Sequence, residues 1–310
     1  MLESSTVVWL RSAAREASYR LARFLPESSD AVQPDSPIHI LGTVVEASAE
    51  ATAEVQACVR ACLWFTYRQH FEPIPGTVFT SDAGWGCMMR SGQMILAQAL
   101  LRLSAGGGGA GASLERREAA TVALFADCLA APYSLHRITL EGQAQGLPVG
   151  RWMGPASIAQ VLVRLADRDA PSCGRRGGRG GGRGGGGRGC RRRSGGAVRS
   201  GRGERLLYLD PHEVQPALRP DDPDVASCHY GRGLRTVRVG DIDPSLAFGF
   251  LCGSADEFDE LCAGCARVGS SSLSAFSIAE ARVLCYERAG SEAEEAEPLS
   301  SDDDDDLVVL

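Results

Sequence analysis

The sequence predicts a protein of the α+β class, in which helices occupy the first half of the folded region and strands the second. Three observations predict this class. Apolar residues recur at helical spacing in several segments between residues 54 and 165. Short β-prone runs bounded by turn-forming residues follow from residue 205. The 310 residues are enough to bury a sizeable core.

The first half of the folded region predicts one strand followed by helices. Ile38–Leu41 is a β-prone run that ends at Gly42. Residues 54–67 are predicted helical because their apolar side chains share one face. Two prolines and a glycine make residues 71–79 a loop. Further helices are predicted from Cys87 to a glycine tract at 106–109, over 115–130, and from Pro155 through Leu165, with an irregular stretch holding one strand at 132–150.

The second half of the folded region predicts mainly strands. Arg205–Asp210 is an apolar run bounded by charged residues. The remaining predicted elements are strands at 237–239, 247–251 and 283–286 and short helices at 258–266 and 276–281.

Charge is distributed unevenly along the chain. The net charge is −7, yet residues 174–205 contain eleven arginines and one glutamate, and the chain has no lysine. The Arg/Gly tract at 173–203 buries too little apolar surface to offset its ordering entropy, so we predict that it is disordered. The predicted organisation is an N-terminal extension at 1–36 with an amphipathic helix near 9–24, a helical part at 37–172, the Arg/Gly tract at 173–204, a sheet part at 205–288 and an acidic disordered tail at 289–310.

Composition also excludes some classes of protein. No apolar run is long enough to span a membrane. The N-terminus lacks the basic and apolar regions of a secretory signal. Eleven cysteines without an export signal indicate reduced thiols, so we expect a cytoplasmic protein.

The strongest local signal is the segment Thr80–Met94, in which Cys87 follows a Gly-x-Gly loop and opens an apolar helix. The glycines permit a sharp turn. The free N–H groups and the positive dipole end of a helix stabilise a thiolate in the first turn, and the same N–H groups can receive an oxyanion. The pattern indicates a thiol nucleophile, although a single cysteine is more often a small buried apolar residue.

A thiol nucleophile needs a base, and His212 has the most suitable context. It follows Asp210 and Pro211, and the proline favours an extended Asp210. Residues two apart in an extended chain face the same side, so the carboxylate can orient the imidazole. The alternative for an isolated Asp-Pro-His is a simple turn. The other histidines have weaker contexts: His39 in an apolar strand, His70 beside Phe71, His136 in a polar loop and His229 after Cys228.

These segments and several others, in the same order, resemble the autophagins, the autophagy-related cysteine peptidases with a papain-like core. The resemblance covers most of 37–170 and 205–265. The matching segments are Ile40–Gly42, Trp64–Arg68, Thr80–Met94, Tyr133–His136, Gly150–Pro155, Tyr208–His212 and Asp243–Phe250.

The resemblance implies a papain-like cysteine peptidase fold, with helices packed on a central, mainly antiparallel sheet. It also implies cleavage after the C-terminal glycine of ubiquitin-like autophagy modifiers, for precursor processing and for release from phosphatidylethanolamine. By this resemblance Cys87 is the nucleophile, His212 the general base and acid, and Asp210 the group that orients it. Tyr67 helps the Cys87 backbone N–H to bind the oxyanion, Trp152 narrows the substrate groove, and Trp85 and Gly86 are assigned with it to substrate binding.

The resemblance further implies GABARAP-like modifiers as partners, both free and lipid-conjugated, with membranes approached only through the lipidated substrate. No cofactor, metal or nucleic acid is expected. The C-terminal residues suit addition as a strand to a partner's sheet, because a β-prone apolar run follows five aspartates. This predicted partner-binding segment comprises Leu307, Val308, Val309 and Leu310; the alternative is a frayed acidic tail.

The sequence departs from the family between the helix near Gln160 and the Asp-Pro-His segment. The family's strands and its Gly-Gly-Lys-Pro motif are replaced by the Arg/Gly tract, so some sheet strands are missing and the strand before Asp210 is expected to have an unpaired edge. The tract is either a mis-assigned or alternatively spliced segment or a defect of the encoded protein.

Two alternative functions remain: an inactive relative that binds the modifier without turnover, and an RNA-binding protein that uses the tract. Cys262 and Cys265 with Cys252 and Cys285 form only a weak zinc motif.

Overall fold

The structure is a computed structural model. It describes residues 37–106, 112–169, 198–200, 203–221, 224–231, 233–242, 247–269 and 308–309. Several predictions lie outside the described residues: the helices near 9–24 and at 276–281, the strand at 283–286, the acidic run at 292–306, and residues 307 and 310.

The described helices lie mostly in the first half of the folded region, as predicted. Two of them are capped by serine side chains, because Ser113 Oγ accepts a hydrogen bond from the Arg116 N–H and Ser134 Oγ from the Arg137 N–H. In the described part of the chain, no helix combines the length and apolarity that crossing a membrane would need. The helices are α1 (Ala51–Arg60), α2 (Cys87–Gly106), α3 (Leu114–Ala123), α4 (Leu135–Gln143), α5 (Pro155–Asp169) and α6 (Ala255–Gly269).

The strands pair in three small groups. β1 (Ile38–Ile40) and β2 (Thr43–Val45) form an antiparallel hairpin, and β3 (Tyr67–Gln69) runs parallel to β6 (Val214–Pro216), with Tyr67 opposite Val214. The third group surrounds β5. Its antiparallel members are β4 (Val198–Ser200), β5 (Gly203–Leu209), β7 (Thr236–Arg238) and β8 (Val308–Val309).

One apolar core joins helices α1–α5 to the β1–β2 hairpin and to β5. The Phe65 and Phe125 rings pack at a tilt of 41° with centroids 5.2 Å apart, and Leu207 and Leu209 of β5 belong to the same buried cluster. A Cβ at Gly92 would lie 2.7 Å from Ile158, so this glycine permits the close contact of α2 with α5. This mixed architecture confirms the α+β prediction, and burial of this apolar surface supplies most of the stabilisation.

The first predicted helix was too long at its C-terminal end. The structure ends α1 at Arg60, and Tyr67 begins β3 rather than closing a helix. The backbone N–H groups of Trp64 and Tyr67 donate to the carbonyls of Cys228 and Pro211, at 2.7 and 3.0 Å. These long-range partners favour an extended chain, which local periodicity could not reveal.

The prediction for residues 132–150 was also wrong, because the structure places α4 there instead of a strand. His136 is consequently not in a polar loop. It is buried in α4, where its Nε2 forms a 2.7 Å hydrogen bond with the Glu72 carbonyl. The helix predicted at 115–130 ends at Ala123, and residues 247–251 form no strand.

The Arg/Gly tract contributes regular structure at its end. β4 pairs with the start of β5, so the predicted disorder does not extend over residues 198–200 and 203. The expected unpaired edge of β5 was wrong as well. One side pairs with β7, Tyr208 and Leu209 pair with β8, and β8 therefore also departs from the prediction of a disordered tail.

Candidate active site

The candidate nucleophile, Cys87, is the first residue of α2 and is 2 % exposed. The preceding loop is held by Asp82, whose carbonyl accepts hydrogen bonds from the N–H groups of Trp85 and Gly86 at 3.1 and 2.9 Å. No acidic residue lies in the first turn of α2. The thiol therefore lies at the positive end of a long helix dipole with no nearby carboxylate in that turn, which suits a thiolate.

His212 and Asp210 form a hydrogen-bonded pair immediately after β5. His212 Nδ1 lies 2.7 Å from Asp210 Oδ1, and the His212 backbone N–H donates to the same oxygen at 2.9 Å. With Nδ1 donating to the carboxylate, Nε2 is the nitrogen that can accept a proton. The two side chains are 18 % and 16 % exposed, so solvent reaches the pair only partly.

The pKa of the Asp210 carboxyl is held below its usual value. Burial alone would raise this pKa, but hydrogen bonds from His212, the charge of His212 and the charge of Arg235 together lower it by more. The carboxylate is therefore ionised at neutral pH and available to orient the imidazole.

Tyr67 is the residue that brings the two halves of the site together. It is 1 % exposed and belongs to a small buried cluster with Ala83, Cys87 and Val214. Its ring meets the His212 ring edge-on, with centroids 5.5 Å apart. Because β3 pairs with β6, which follows His212 directly, the thiol segment and the imidazole segment are held against the same tyrosine.

The three residues assigned to substrate binding lie in different environments. Trp152 is 43 % exposed and lies in the segment before α5. A Cβ at Gly154 would lie 3.4 Å from the Trp152 ring. Trp85 is 4 % exposed, and its indole N–H donates to the Ser81 carbonyl at 3.2 Å. At Gly86 a Cβ would lie 2.3 Å from Asp82 Oδ2, so the glycine is needed for the loop itself.

Sequence reasoning missed several residues that fix the site. Arg235 bonds through its guanidinium to Asp210 Oδ2, and the Trp64 indole N–H donates to the Asp210 carbonyl at 2.7 Å. Arg90 joins the Asp82 and Asp127 carboxylates at 2.8 and 2.9 Å. The position of Arg90 inside the Cys87 segment was a usable signal, whereas nothing local marks Arg235.

Among the residues that the structure describes, no group of three His, Cys, Asp or Glu side chains is arranged to hold a metal ion. Cys262 and Cys265 both lie on α6, and Cys285 of the weak zinc motif is outside the described residues.

Comparison with known proteins identifies relatives along most of the chain. The family model described as the Peptidase C54 catalytic domain matches residues 52–176 and 190–264. Cysteine protease ATG4B of Xenopus laevis is 28% identical, over 80% of this chain and 84% of that protein. The probable cysteine protease ATG4 of Chaetomium globosum is 31% identical, over 80% of this chain and 73% of that protein. Cysteine protease 1 of Neurospora crassa is also 31% identical, over 78% of this chain and 63% of that protein.

Proposed function

Because the chain belongs to the peptidase C54 family and is an autophagy-related cysteine peptidase, we propose that it cleaves the bond after the C-terminal glycine of ubiquitin-like autophagy modifiers. The observation that carries this proposal is the arrangement around Tyr67. The tyrosine contacts the His212 ring and shares a buried cluster with Cys87, while Asp210 holds the imidazole.

The proposed reaction is acyl transfer through a thioester. The Cys87 thiolate attacks the glycine carbonyl carbon, and the resulting oxyanion accepts hydrogen bonds from the Cys87 backbone N–H and the Tyr67 hydroxyl. The C–N bond then breaks as His212 gives its proton to the leaving amine. Water attacks the thioester, His212 takes a proton from it, and the modifier leaves with a glycine carboxylate while the thiol is restored.

Two properties of the site support a glycine-ended substrate. The nucleophile is almost fully buried, so only a thin, extended tail can reach it. The exposed indole of Trp152 offers a flat apolar surface next to which a residue without a side chain can pass. We propose that Trp152, with the loop of Trp85 and Gly86, excludes tails with bulky side chains at the cleaved position.

The same chemistry applies to two kinds of leaving group. In a precursor the leaving amine belongs to a peptide, and in the lipid-conjugated modifier it belongs to phosphatidylethanolamine. We propose that this enzyme acts on both in the cytoplasm, with free and lipid-conjugated GABARAP-like modifiers as partners. Contact with a membrane is then made only through the lipidated substrate.

The test is cleavage of a modifier precursor by the full chain and by its Cys87→Ser variant. Cys87→Ser is expected to abolish cleavage, because a serine hydroxyl does not form an anionic nucleophile as a thiol does. A pull-down should still capture the precursor, because the surface that binds it is unchanged. Cys128→Ser is the matched control, since Cys128 is a partly buried free cysteine outside the site. Equal cleavage by the Cys87→Ser protein would contradict the proposal. Capture of the precursor without turnover by the unmodified chain would identify an inactive relative instead.

A further inference from the structure

Arg235 is a charged residue at the site to which the catalytic scheme gives no role. Its guanidinium bonds to Asp210 Oδ2, while Asp210 Oδ1 accepts both hydrogen bonds from His212. The two carboxylate oxygens are thus divided between two cationic or potentially cationic partners. The Arg235 and Asp210 side chains are 24 % and 16 % exposed, so solvent screens this ion pair only in part.

The backbone fixes where the Arg235 side chain begins. Arg235 directly precedes β7, and its carbonyl accepts a hydrogen bond from the Tyr208 N–H at 3.3 Å. β5 and β7 are in antiparallel register, with Leu207 opposite Thr236. This register carries Arg235 to the end of β5, beside Asp210. The Trp64 indole holds the Asp210 carbonyl from another direction, at 2.7 Å.

We propose that Arg235 is a positioning residue that acts on catalysis through Asp210. A carboxylate turns readily about its terminal torsion, which is broad and roughly two-fold. A donor on Oδ2 keeps Oδ1 directed at the imidazole Nδ1–H and so keeps His212 in the orientation in which Nε2 serves the thiol. The proposal rests on the proposed function only in that Cys87, His212 and Asp210 are the catalytic groups.

The first test is steady-state cleavage of the precursor by Arg235→Ala and Arg235→Lys. Arg235→Ala is expected to lower kcat by about tenfold to a hundredfold, with little change in KM. This is the range found at metal sites when a partner that orients a ligating histidine or carboxylate is lost. Arg235→Lys is expected to recover part of the loss, because it keeps a cation but offers one donor group instead of a planar fork. Millimolar guanidinium should restore activity to the alanine variant.

The matched control is Arg238→Ala. Arg238 is the last residue of β7, the strand that Arg235 directly precedes, and its exposed side chain forms an ion pair with Asp241. Its replacement is expected to leave kcat unchanged. A purely structural role for Arg235 would lower the melting temperature without rescue by guanidinium, and that result would overturn the proposal.

The second test is a double-mutant cycle with Asp210→Asn. If Arg235 acts through the Asp210 carboxylate, Arg235→Ala should add little to the loss already caused by Asp210→Asn. A full, multiplicative loss in the double variant would contradict the proposal.

A third measurement needs no modifier and so separates this proposal from the assignment of substrate. The rate at which iodoacetamide alkylates Cys87 reports the thiolate that His212 supports. Arg235→Ala is expected to slow alkylation of Cys87 relative to Arg238→Ala. An unchanged rate would overturn the role of Arg235, whereas slowed alkylation in a protein that cleaves no precursor would overturn only the proposed substrate.

Discussion

At the scale of single residues, Gly86 shows how the loop before the nucleophile restricts side-chain size. A Cβ at this position would lie 2.3 Å from Asp82 Oδ2 and 2.7 Å from Asp82 Cβ, which is closer than real Cβ atoms approach other atoms. Asp82 cannot withdraw easily, because its carboxylate accepts the Arg68 N–H at 2.6 Å and binds Arg90. The loop therefore has room for glycine alone.

Gly86→Ala is expected to destabilise the protein by about 1–3 kcal/mol, the usual cost of overpacking, and to reduce activity because the loop directly precedes Cys87. Urea unfolding and precursor cleavage measure the two effects. Gly231→Ala is the control, since a Cβ at Gly231 meets no atom within 4 Å. Equal stability of the two variants would show that the loop can relax without cost.

The Asp210 carboxylate predicts a pH dependence of stability. Its pKa in the folded protein is lowered, because the hydrogen bonds and charges of His212 and Arg235 outweigh the effect of burial. A lowered folded pKa stabilises the fold above the unfolded pKa of about 3.9, and this stabilisation is lost as pH falls through the folded pKa. The contribution of Asp210 is therefore complete at neutral pH and absent in strong acid.

Replacing Asp210 with Asn should make this dependence visible. The difference in free energy of unfolding between the wild type and Asp210→Asn is expected to be largest near neutral pH and to shrink below about pH 4. Urea unfolding of both proteins at a series of pH values measures it. A difference that does not vary with pH would mean that the carboxylate gains nothing from its neighbours.

At the scale of secondary structure elements, a buried junction centred on Arg90 connects the two sides of the site. Arg90 of α2 binds Asp82 Oδ2 and Asp127 Oδ1, and Asp127 Oδ2 accepts the Leu218 N–H at 2.8 Å. Leu218 follows β6, the strand after His212. Burial would lower the pKa of Arg90, but the two carboxylates raise it above its usual value, so the guanidinium remains charged. The junction thus fixes the helix that bears Cys87 relative to the segment that bears His212.

Asp127→Ala is expected to lower the free energy of unfolding by about 3–5 kcal/mol, because it leaves a buried guanidinium without one of its partners. Cleavage of the precursor should fall too, since the Leu218 segment loses its anchor. Asp259→Ala serves as the control, because Asp259 is an exposed residue of α6. Similar urea midpoints for the two variants would contradict the structural role of the junction.

The elements that sequence predicted well are those with strong local boundaries. α2 begins at Cys87 and ends at the glycine tract, and α5 begins at Pro155, much as expected. α4 was missed although Ser134 caps it and Leu135 and Ile138 share its buried face, because the proline and glycine on either side suggested irregular chain. The parallel pairing of β3 with β6 could not be predicted, since it depends on contacts between residues far apart in sequence.

The site shows the same division between local and long-range information. The contact of Asp210 with His212 could be predicted, because residues two apart in an extended chain face the same side. The structure gives the expected hydrogen bond between the two side chains. Tyr67 lies between Cys87 and His212 because α1 ends at Arg60 and Tyr67 belongs to β3. This position could not be derived from periodicity. Arg235 reaches Asp210 only through the register of β5 with β7.

At the scale of the whole molecule, the C-terminal strand β8 covers an edge next to the site. Val309 pairs with Tyr208 and Val308 with Leu209, directly before Asp210, and β8 also lies against α2. Since β4 pairs only with the first residues of β5, β8 extends the sheet where β4 ends. The partner-binding role predicted for Leu307–Leu310 can therefore use the β8 edge that faces β5 only if β8 leaves β5, because one strand edge cannot pair with two sheets at once.

Deletion of residues 307–310 tests this pairing through individual backbone amides. The Tyr208 N–H donates to the Arg235 carbonyl on the β7 side, and successive N–H groups of a strand point to opposite sides. The Leu209 N–H therefore faces β8. Deletion is expected to accelerate hydrogen exchange at Leu209 but not at Tyr208. It should also lower the free energy of unfolding by about 1 kcal/mol through lost hydrogen bonding.

The control is the double substitution Val308→Ala and Val309→Ala, which keeps the backbone and should accelerate exchange less. Unchanged exchange at Leu209 in the deletion variant would show that β8 does not pair with β5, and the tail would then be available to a partner at all times.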